Sequence, residues 1–246
     1  MIGNNIIHLN EVDSTNNYAR GVLKGKVEEG SVVLAYSQNQ GRGHLQSIWE
    51  SEPGMNLTFS IILYPEFLDP ARQFALSQMA SLGIHDFIMG KAGSASIKWP
   101  NDIYAGNKKI GGILIESSIL GSRFSNSVVG IGLNINQSEF SEWIPNPVSL
   151  KLITGVDFNL EECLAVLCST ISEWYEKLKN GHYAELNGRY TSNLYRRGLW
   201  ADYKSGGQIF KGRITGIDEI GRLLIEKETG VISTFNFKEV EYVPFG

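Results

Sequence analysis

Three cations, one carboxylate and a scatter of amides stand where chemistry on an anionic substrate would need them. Arg42 lies between Gly41 and Gly43 in "NQGRGHLQSIWESEPG" (residues 39–54). Glycines let backbone amides close on a ligand without a Cβ in the way, and a guanidinium fork offers paired donors to a carboxylate or phosphate. In "KWPNDIYAGNKKIGGILIE", Lys98, Trp99, Pro100, Asn101 and Asp102 place a cation, a ring, a rigid bend, an amide and a carboxylate in succession. Lys109 follows just ahead of Gly111 and Gly112, and glycines inside a strand mark a spot where a ligand or another chain lies close. Ser14-Thr15-Asn16 and Gln38 add hydroxyls and amides, while "GIGLNIN" (130–136) clears space and supplies Asn134, an amide able to read a base or ribose edge. Taken singly, these are also what a helix cap, a surface turn and a turn between strands look like.

Composition narrows the classes. The net charge of −4 opposes a broad basic face for nucleic acid. His8, His44, His85 and His182 show no metal-ligand spacing, and Cys163 and Cys168 lie five apart in a helical stretch, where they read as core residues instead of a bridge. No run approaches the ~18 apolar residues of a membrane span, and the first residues lack the basic-then-apolar pattern of a secretion signal. A soluble cytoplasmic protein is expected.

The elements that must position these residues follow from periodicity. "IIHLNEVDSTNNYARGVLKG" begins as a strand and turns into a helix, with Ser14 or Thr15 as N-cap. "GSVVLAYSQ" and "MNLTFSIILY" read as strands, and Asp69-Pro70 as the cap and first position of a helix whose Phe74, Met79, Leu82 and Phe87 form one buried side. "SASIKWPNDIY" and "KIGGILIES" read as two strands joined by "AGNK", and "SVVGIGLNIN" as another. After Asn159, Leu160, Leu164, Leu167, Ile171, Trp174 and Leu178 make one apolar helical stripe. From Trp200 onward only short β-prone runs and turns occur, which predicts a small all-β unit, a compact barrel. The expected organisation is residues 1–190 as a mixed α/β domain and 191–246 as the β unit.

Together and in order, "DSTN", "QGRG…W", "KWPND…KKIGGILIE" and "GIGLNIN" resemble the biotin–protein ligases (biotin–[acetyl-CoA-carboxylase] ligases), over nearly the whole chain. The resemblance implies a class II synthetase-like catalytic domain around a mixed sheet, followed by an SH3-like barrel. The catalytic pattern starts at "EVDSTN", so a single-function ligase is expected, without the helix-turn-helix domain of the bifunctional members. The implied reaction activates biotin with ATP, as its Mg²⁺ complex, to biotinyl-5′-AMP, then acylates a lysine of the biotin carboxyl carrier protein. Monomers and homodimers both fit this family.

The resemblance also assigns residues. Ser14, Thr15, Asn16 and Gln38 would line the biotin pocket, with Gly41, Arg42, Gly43 and His44 closing over biotin and its adenylate. Arg42 and Lys109 would meet the carboxylate and α-phosphate, and Gly111 and Gly112 would admit biotin against the strand. Trp49, Asn101 and Asn134 fall near the nucleotide, and Lys98 near phosphate. Asp102 would hold Mg²⁺, orient Lys109 or help deprotonate the incoming amine. The family loop usually reads Gly-Arg-Gly-Arg-x-Gly-Arg-x-Trp; here His44, Gln46 and Ser47 replace an arginine, a glycine and an arginine. Two fixed cations are lost, which predicts weaker or more pH-dependent retention of the adenylate. The rival readings are a lipoate or octanoate ligase of the same fold and a non-catalytic biotin-binding protein; "KWPND" and the β C-terminal unit favour biotin, and retention of Arg42, Lys98 and Lys109 favours catalysis.

Overall fold

In β3 (Leu57–Leu63) every residue is buried, so this strand must be covered on both faces. It is the hub of a seven-stranded sheet of order β1-β2-β3-β7-β6-β5-β4. The computed structural model describes residues 1–246 except 24, 26, 44–46 and 245–246. β1 (Ile6–Val12) and β2 (Val32–Gln38) are parallel, joined by the crossover helix α1 (Thr15–Val22). β3, β7 (Arg123–Leu133), β6 (Lys108–Leu120), β5 (Asp102–Ala105) and β4 (Ser96–Lys98) continue the sheet antiparallel. Alternation sorts the faces of β3: Leu57, Phe59, Ile61 and Leu63 join the main core, and Ile62 packs with Ala19 of α1.

The main core lies between the sheet and α2 (Phe74–Ala92), which α4 (Leu160–Lys179) covers in turn. The two helices touch closely where a Cβ on Gly83 would meet Ile171 Cγ1 at 2.5 Å. Sandwiched this way, α2 is buried around most of its circumference, with Gln78, Ser81 and His85 covered as well as its apolar residues. The single buried side expected from sequence is thus too narrow, because a helix enclosed by sheet and helix needs no solvent face. Asp69 does cap, accepting from Ala71 N, but it opens a short 3-10 turn, Pro70–Arg72, ahead of α2. Asn159 caps α4 by accepting from Glu162 N, and the predicted stripe from Leu164 to Leu178 is buried. Cys163 and Cys168 are free, buried thiols, and burial pushes Cys168 up to about 11.

"SASIKWPNDIY" is not one strand. The chain reverses through Trp99-Pro100-Asn101, with a cis Trp99–Pro100 bond, so that β4 and β5 pair antiparallel and Lys98 faces Asp102 across the ladder. Two further helices, α3 (Leu150–Thr154) and α5 (Tyr183–Ser192), complete the α/β part, and α5 runs through the division placed at residue 190.

Beyond it, β8 (Trp200–Ser205), β9 (Gln208–Ile217), β10 (Leu223–Lys227), β11 (Ile232–Phe235) and β12 (Glu241–Tyr242) form an antiparallel sheet in the order β11-β10-β9-β8-β12. This is consistent with an SH3-like unit, but the expected barrel does not close: β11 and β12 do not pair among the described residues. With four and two residues, these edges offer too few ladder positions to bridge the gap. The β9–β10 turn docks on the α/β part, where Trp99 Nε1 donates to Gly221 O at 2.8 Å and a Cβ on Gly221 would overlap the Phe74 ring. Among the described residues no helix is long and apolar enough to cross a membrane.

Candidate active site

Glycines on facing strands make the floor. In the β6–β7 ladder Gly112 stands opposite Gly132, and Leu114 opposite Gly130. Residues i and i+2 share a strand face, so Gly130 and Gly132 present two bare positions in a row. A Cβ at Gly132 would run into the Trp49 indole, and one at Gly130 into the Asn16 amide. A ring and an amide are therefore seated directly on backbone. Of the adjacent glycines in β6 only Gly112 faces this side; a Cβ on Gly111 would meet Leu133 Cδ1 at 2.9 Å, and Gly111 does not line the cavity.

Above the floor is a cavity of about 920 Å³. One end is built by the start of α1, with Ser14, Thr15, Asn16 and Gln38 in its wall. Ser14 occupies the N-cap position, yet its hydroxyl makes no cap hydrogen bond. Gln38 does that work from the end of β2, its Oε1 accepting from Thr15 N at 2.7 Å. The parallel β1–β2 register, Val12 beside Gln38, brings it there. The Ser60 hydroxyl sits 2.8 Å from Thr15 Oγ1 and 2.6 Å from Asn16 Oδ1. Asn16 Nδ2 donates to Leu114 O at 3.2 Å and to Glu116 Oε2 at 2.9 Å.

The arginine loop folds over this end. Trp49 N donates to Gly41 O at 2.9 Å and Gly43 N to Ser47 O at 2.7 Å, closing the loop on itself. A Cβ on Gly41 would overlap the Trp49 carbonyl oxygen, so its bareness serves the loop's own closure; Gly41 is not in the cavity wall, whereas Arg42, Gly43 and Trp49 are. His44, with Leu45 and Gln46, lies outside the described residues. Arg42 Nη2 donates to Glu116 Oε2, and Arg20 Nη1 reaches Glu116 Oε1 at 3.3 Å. Burial pushes the Glu116 carboxyl up, but the hydrogen bonds from Arg42 and Asn16 and the charges of Arg42 and Arg20 outweigh it, holding the group below its ordinary value.

At the other end Lys109 Nζ is 2.7 Å from Asp102 Oδ1 and 5.8 Å from the centre of the Trp49 ring. The Lys109 backbone is clasped by a distant segment: its N donates to Asn146 O at 2.7 Å, and Val148 N donates to its O at 3.0 Å. Asn101 and Ile113 exchange hydrogen bonds, Asn101 Nδ2 to Ile113 O at 2.7 Å and Ile113 N to Asn101 O at 2.9 Å. Asn134 is buried and donates through Nδ2 to Val148 O at 3.0 Å. Among the described residues its Oδ1, like Trp49 Nε1, is buried without a partner. Lys98 donates to the Tyr104 hydroxyl at 3.0 Å and lies 5.0 Å from the centre of the Tyr242 ring. Burial pushes its ammonium down, and the nearby Asp102 opposes the shift; burial, then Asp102, push Tyr104 up to about 12.

The wall contains residues that sequence reasoning did not single out. Phe140, Trp143 and Pro147 come from the segment that clasps Lys109, Phe237 and Lys238 from the turn between β11 and β12, and Tyr242 from β12. Neither stretch carries a glycine or charge pattern that marks it. Glu116, just behind the wall, was visible only as the last residue of "GGILIE".

The sequence profile described as the Biotin/lipoate A/B protein ligase family matches residues 9–134, and that of the Biotin protein ligase C terminal domain matches 203–241. The chain is 30% identical to the biotin–[acetyl-CoA-carboxylase] ligase of Paracoccus denitrificans, over 90% of this chain and 94% of that one. It is 27% identical to the bifunctional ligase/repressor of Bacillus subtilis, over 94% of this chain and 72% of the relative. The structure of the Aquifex aeolicus biotin protein ligase in complex with biotin and ATP superposes with a TM-score of 0.82 at 31% identity, covering 98% of this chain and all of that one. The chain belongs to the biotin/lipoate A/B protein ligase family, and its C-terminal part to the domain that accompanies the biotin ligases.

Proposed function

We infer that the protein is a biotin–protein ligase that joins biotin and ATP to give biotinyl-5′-AMP and pyrophosphate, then transfers the biotinyl group to a lysine of the carboxyl carrier domain of acetyl-CoA carboxylase. The observation that carries this reading is the cavity itself. It combines a hydroxyl-and-amide end, the cations Arg42, Lys98 and Lys109 in its wall, a tryptophan laid on bare strand backbone, and an amide oxygen, Asn134 Oδ1, without a partner among the described residues.

Each part suits one part of the reaction. The ureido ring of biotin carries two donors and an acceptor, which Ser14, Thr15, Asn16 and Gln38 can satisfy. Biotin's carboxylate oxygen attacks the α-phosphorus, and pyrophosphate departs. Both reactants are anions, so Arg42 and Lys109 serve to neutralise and align them. Trp49 offers a flat face to the adenine, and Asn134 Oδ1 lacks a donor of the kind the adenine amino group supplies. Asn101 shapes the same wall, and Lys98, whose ammonium burial disfavours, gains from a phosphate beside it. In the second step the lysine nitrogen attacks the acyl carbon, the carbon–oxygen bond to AMP breaks, and the amine gives up a proton. Presenting that amine unprotonated at pH 7 costs about 4–5 kcal/mol from an ordinary pKa near 10.4.

Among the described residues no three His, Cys, Asp or Glu side chains converge into a metal cage. Mg²⁺ bound chiefly by ATP phosphates fits this site, where Asp102 is one of the acidic side chains of the wall, and would neutralise the triphosphate. Asp102 is already engaged by Lys109, which favours orientation of that lysine as its role.

Exchange of labelled pyrophosphate into ATP tests the reading. Exchange that requires biotin is expected. Exchange driven by lipoate or octanoate would move the chain to the lipoate branch, and biotin binding without exchange would leave a binding protein.

A further inference from the structure

We propose that Glu116 is a positioning residue of the ligation, tying Asn16 at the biotin end of the cavity to Arg42 of the loop above it. The proposal rests on the ligase reading. Glu116 is not in the cavity wall, so it acts through the two groups that are.

One carboxylate gathers donors from two separate parts of the chain. Oε2 accepts from Asn16 Nδ2 at 2.9 Å and from Arg42 Nη2, and Oε1 faces Arg20 Nη1 at 3.3 Å. Asn16 and Arg20 are four apart on α1, so they lie on one helix face and reach the same strand residue. Arg42 comes from the loop, where two backbone hydrogen bonds, Trp49 N to Gly41 O and Gly43 N to Ser47 O, hold its base. Both donors of Asn16 are engaged, its amide nitrogen serving Leu114 O and Glu116, while its oxygen accepts from Ser60 and keeps a second lone pair for a ligand. A ligand that shifts Asn16 therefore shifts the anchor of Arg42.

The anchor does not exhaust the arginine. A guanidinium has five N–H donors in a fixed fork, and fixing Nη2 leaves Nη1 and Nε to meet a carboxylate or phosphate. The charge balance also matters. Two guanidinium groups converge on one carboxylate, so removing it would leave Arg20 and Arg42 repelling each other.

The experiment compares wild type with Glu116→Gln, Glu116→Ala, Arg42→Ala and the double variant. Its readouts are biotin-dependent pyrophosphate exchange, the dissociation rate of biotinyl-AMP and the melting temperature. Glu116→Ala is expected to raise the biotin KM and the adenylate off-rate about tenfold, with Glu116→Gln in between, because it keeps one acceptor and loses the charge. In the double variant the part of the Glu116 effect that runs through Arg42 should vanish, so the double variant should lose less than the sum of the two single variants. A lower melting temperature with unchanged KM and off-rate in the active fraction would reduce Glu116 to a structural residue and overturn the proposal. So would effects that simply add. Absence of exchange in the wild type would instead remove the ligase reading, which keeps the two failures apart.

Discussion

At the scale of residues, two of the cations in the cavity wall are held on carboxylates, Arg42 on Glu116 and Lys109 on Asp102. Lys109→Ala is expected to lower kcat for pyrophosphate exchange about a hundredfold or more, the usual cost of losing one preorganised charge contact to a developing anion. Unchanged exchange would deny Lys109 its role. Asp102→Asn keeps the shape and removes the charge; if Asp102 orients Lys109, it should lower kcat with little change in the KM for ATP. A rise in the Mg²⁺ requirement instead would assign Asp102 to the metal. The loop poses a separate question at His44, which stands where the family carries arginine. His44→Arg should slow biotinyl-AMP dissociation several-fold if the restored contact is worth about 1.5 kcal/mol. Equal off-rates would show that the substitution is neutral.

At the scale of elements, the strands set what each residue can touch. Gly132→Val would drive a side chain into the Trp49 ring, so the KM for ATP should rise steeply, whereas biotin binding, measured calorimetrically, should change less. A uniform loss of both would mean that the strand, and not the ring seat, had failed. The Glu116 cluster joins β6, α1 and the loop, and it has a pH signature. Its carboxyl sits below its ordinary 4.5 in the folded chain, facing Arg42, Arg20 and the Asn16 amide. The unfolded chain therefore takes up the proton first. The stability from this group is complete above about pH 4.5 and is lost as pH falls through the lowered folded value. Glu116→Gln should flatten the acid limb of a stability–pH curve in that window and leave the neutral range parallel to wild type.

Elements also explain what could be read in advance. The α4 stripe and the burial of β3 were legible because apolar periodicity reports one-sided or two-sided cover directly. The hairpin at Trp99-Pro100 was only partly legible: Pro100-Asn101-Asp102 is a turn signal, but with β-prone residues on both sides and no glycine at the reversal the run reads as one strand. Gly111 and Gly112 look alike in sequence, yet the pleat turns only one of them to the cavity. Ser14 had the right position for a cap, but Gln38, 23 residues away from Thr15, makes the bond. Long-range partners of this kind, Glu116 among them, leave no trace in local spacing.

At the scale of the whole molecule, the C-terminal sheet completes the site. Tyr242 lies by Lys98, and Trp99 joins the units through Gly221 O. Trp99→Phe orphans that carbonyl and should lower stability by about 1–3 kcal/mol in urea unfolding, with a rise in the KM for ATP. Stability without a kinetic effect would separate the joint from the site. The most direct test of the account is the full reaction followed by intact mass. With biotin, ATP and Mg²⁺, the protein is predicted to add one biotinyl group to an apo carrier domain of acetyl-CoA carboxylase, and the Lys109→Ala variant to add it far more slowly. A carrier domain that stays unmodified under these conditions, or that is acylated only from lipoate, would contradict it.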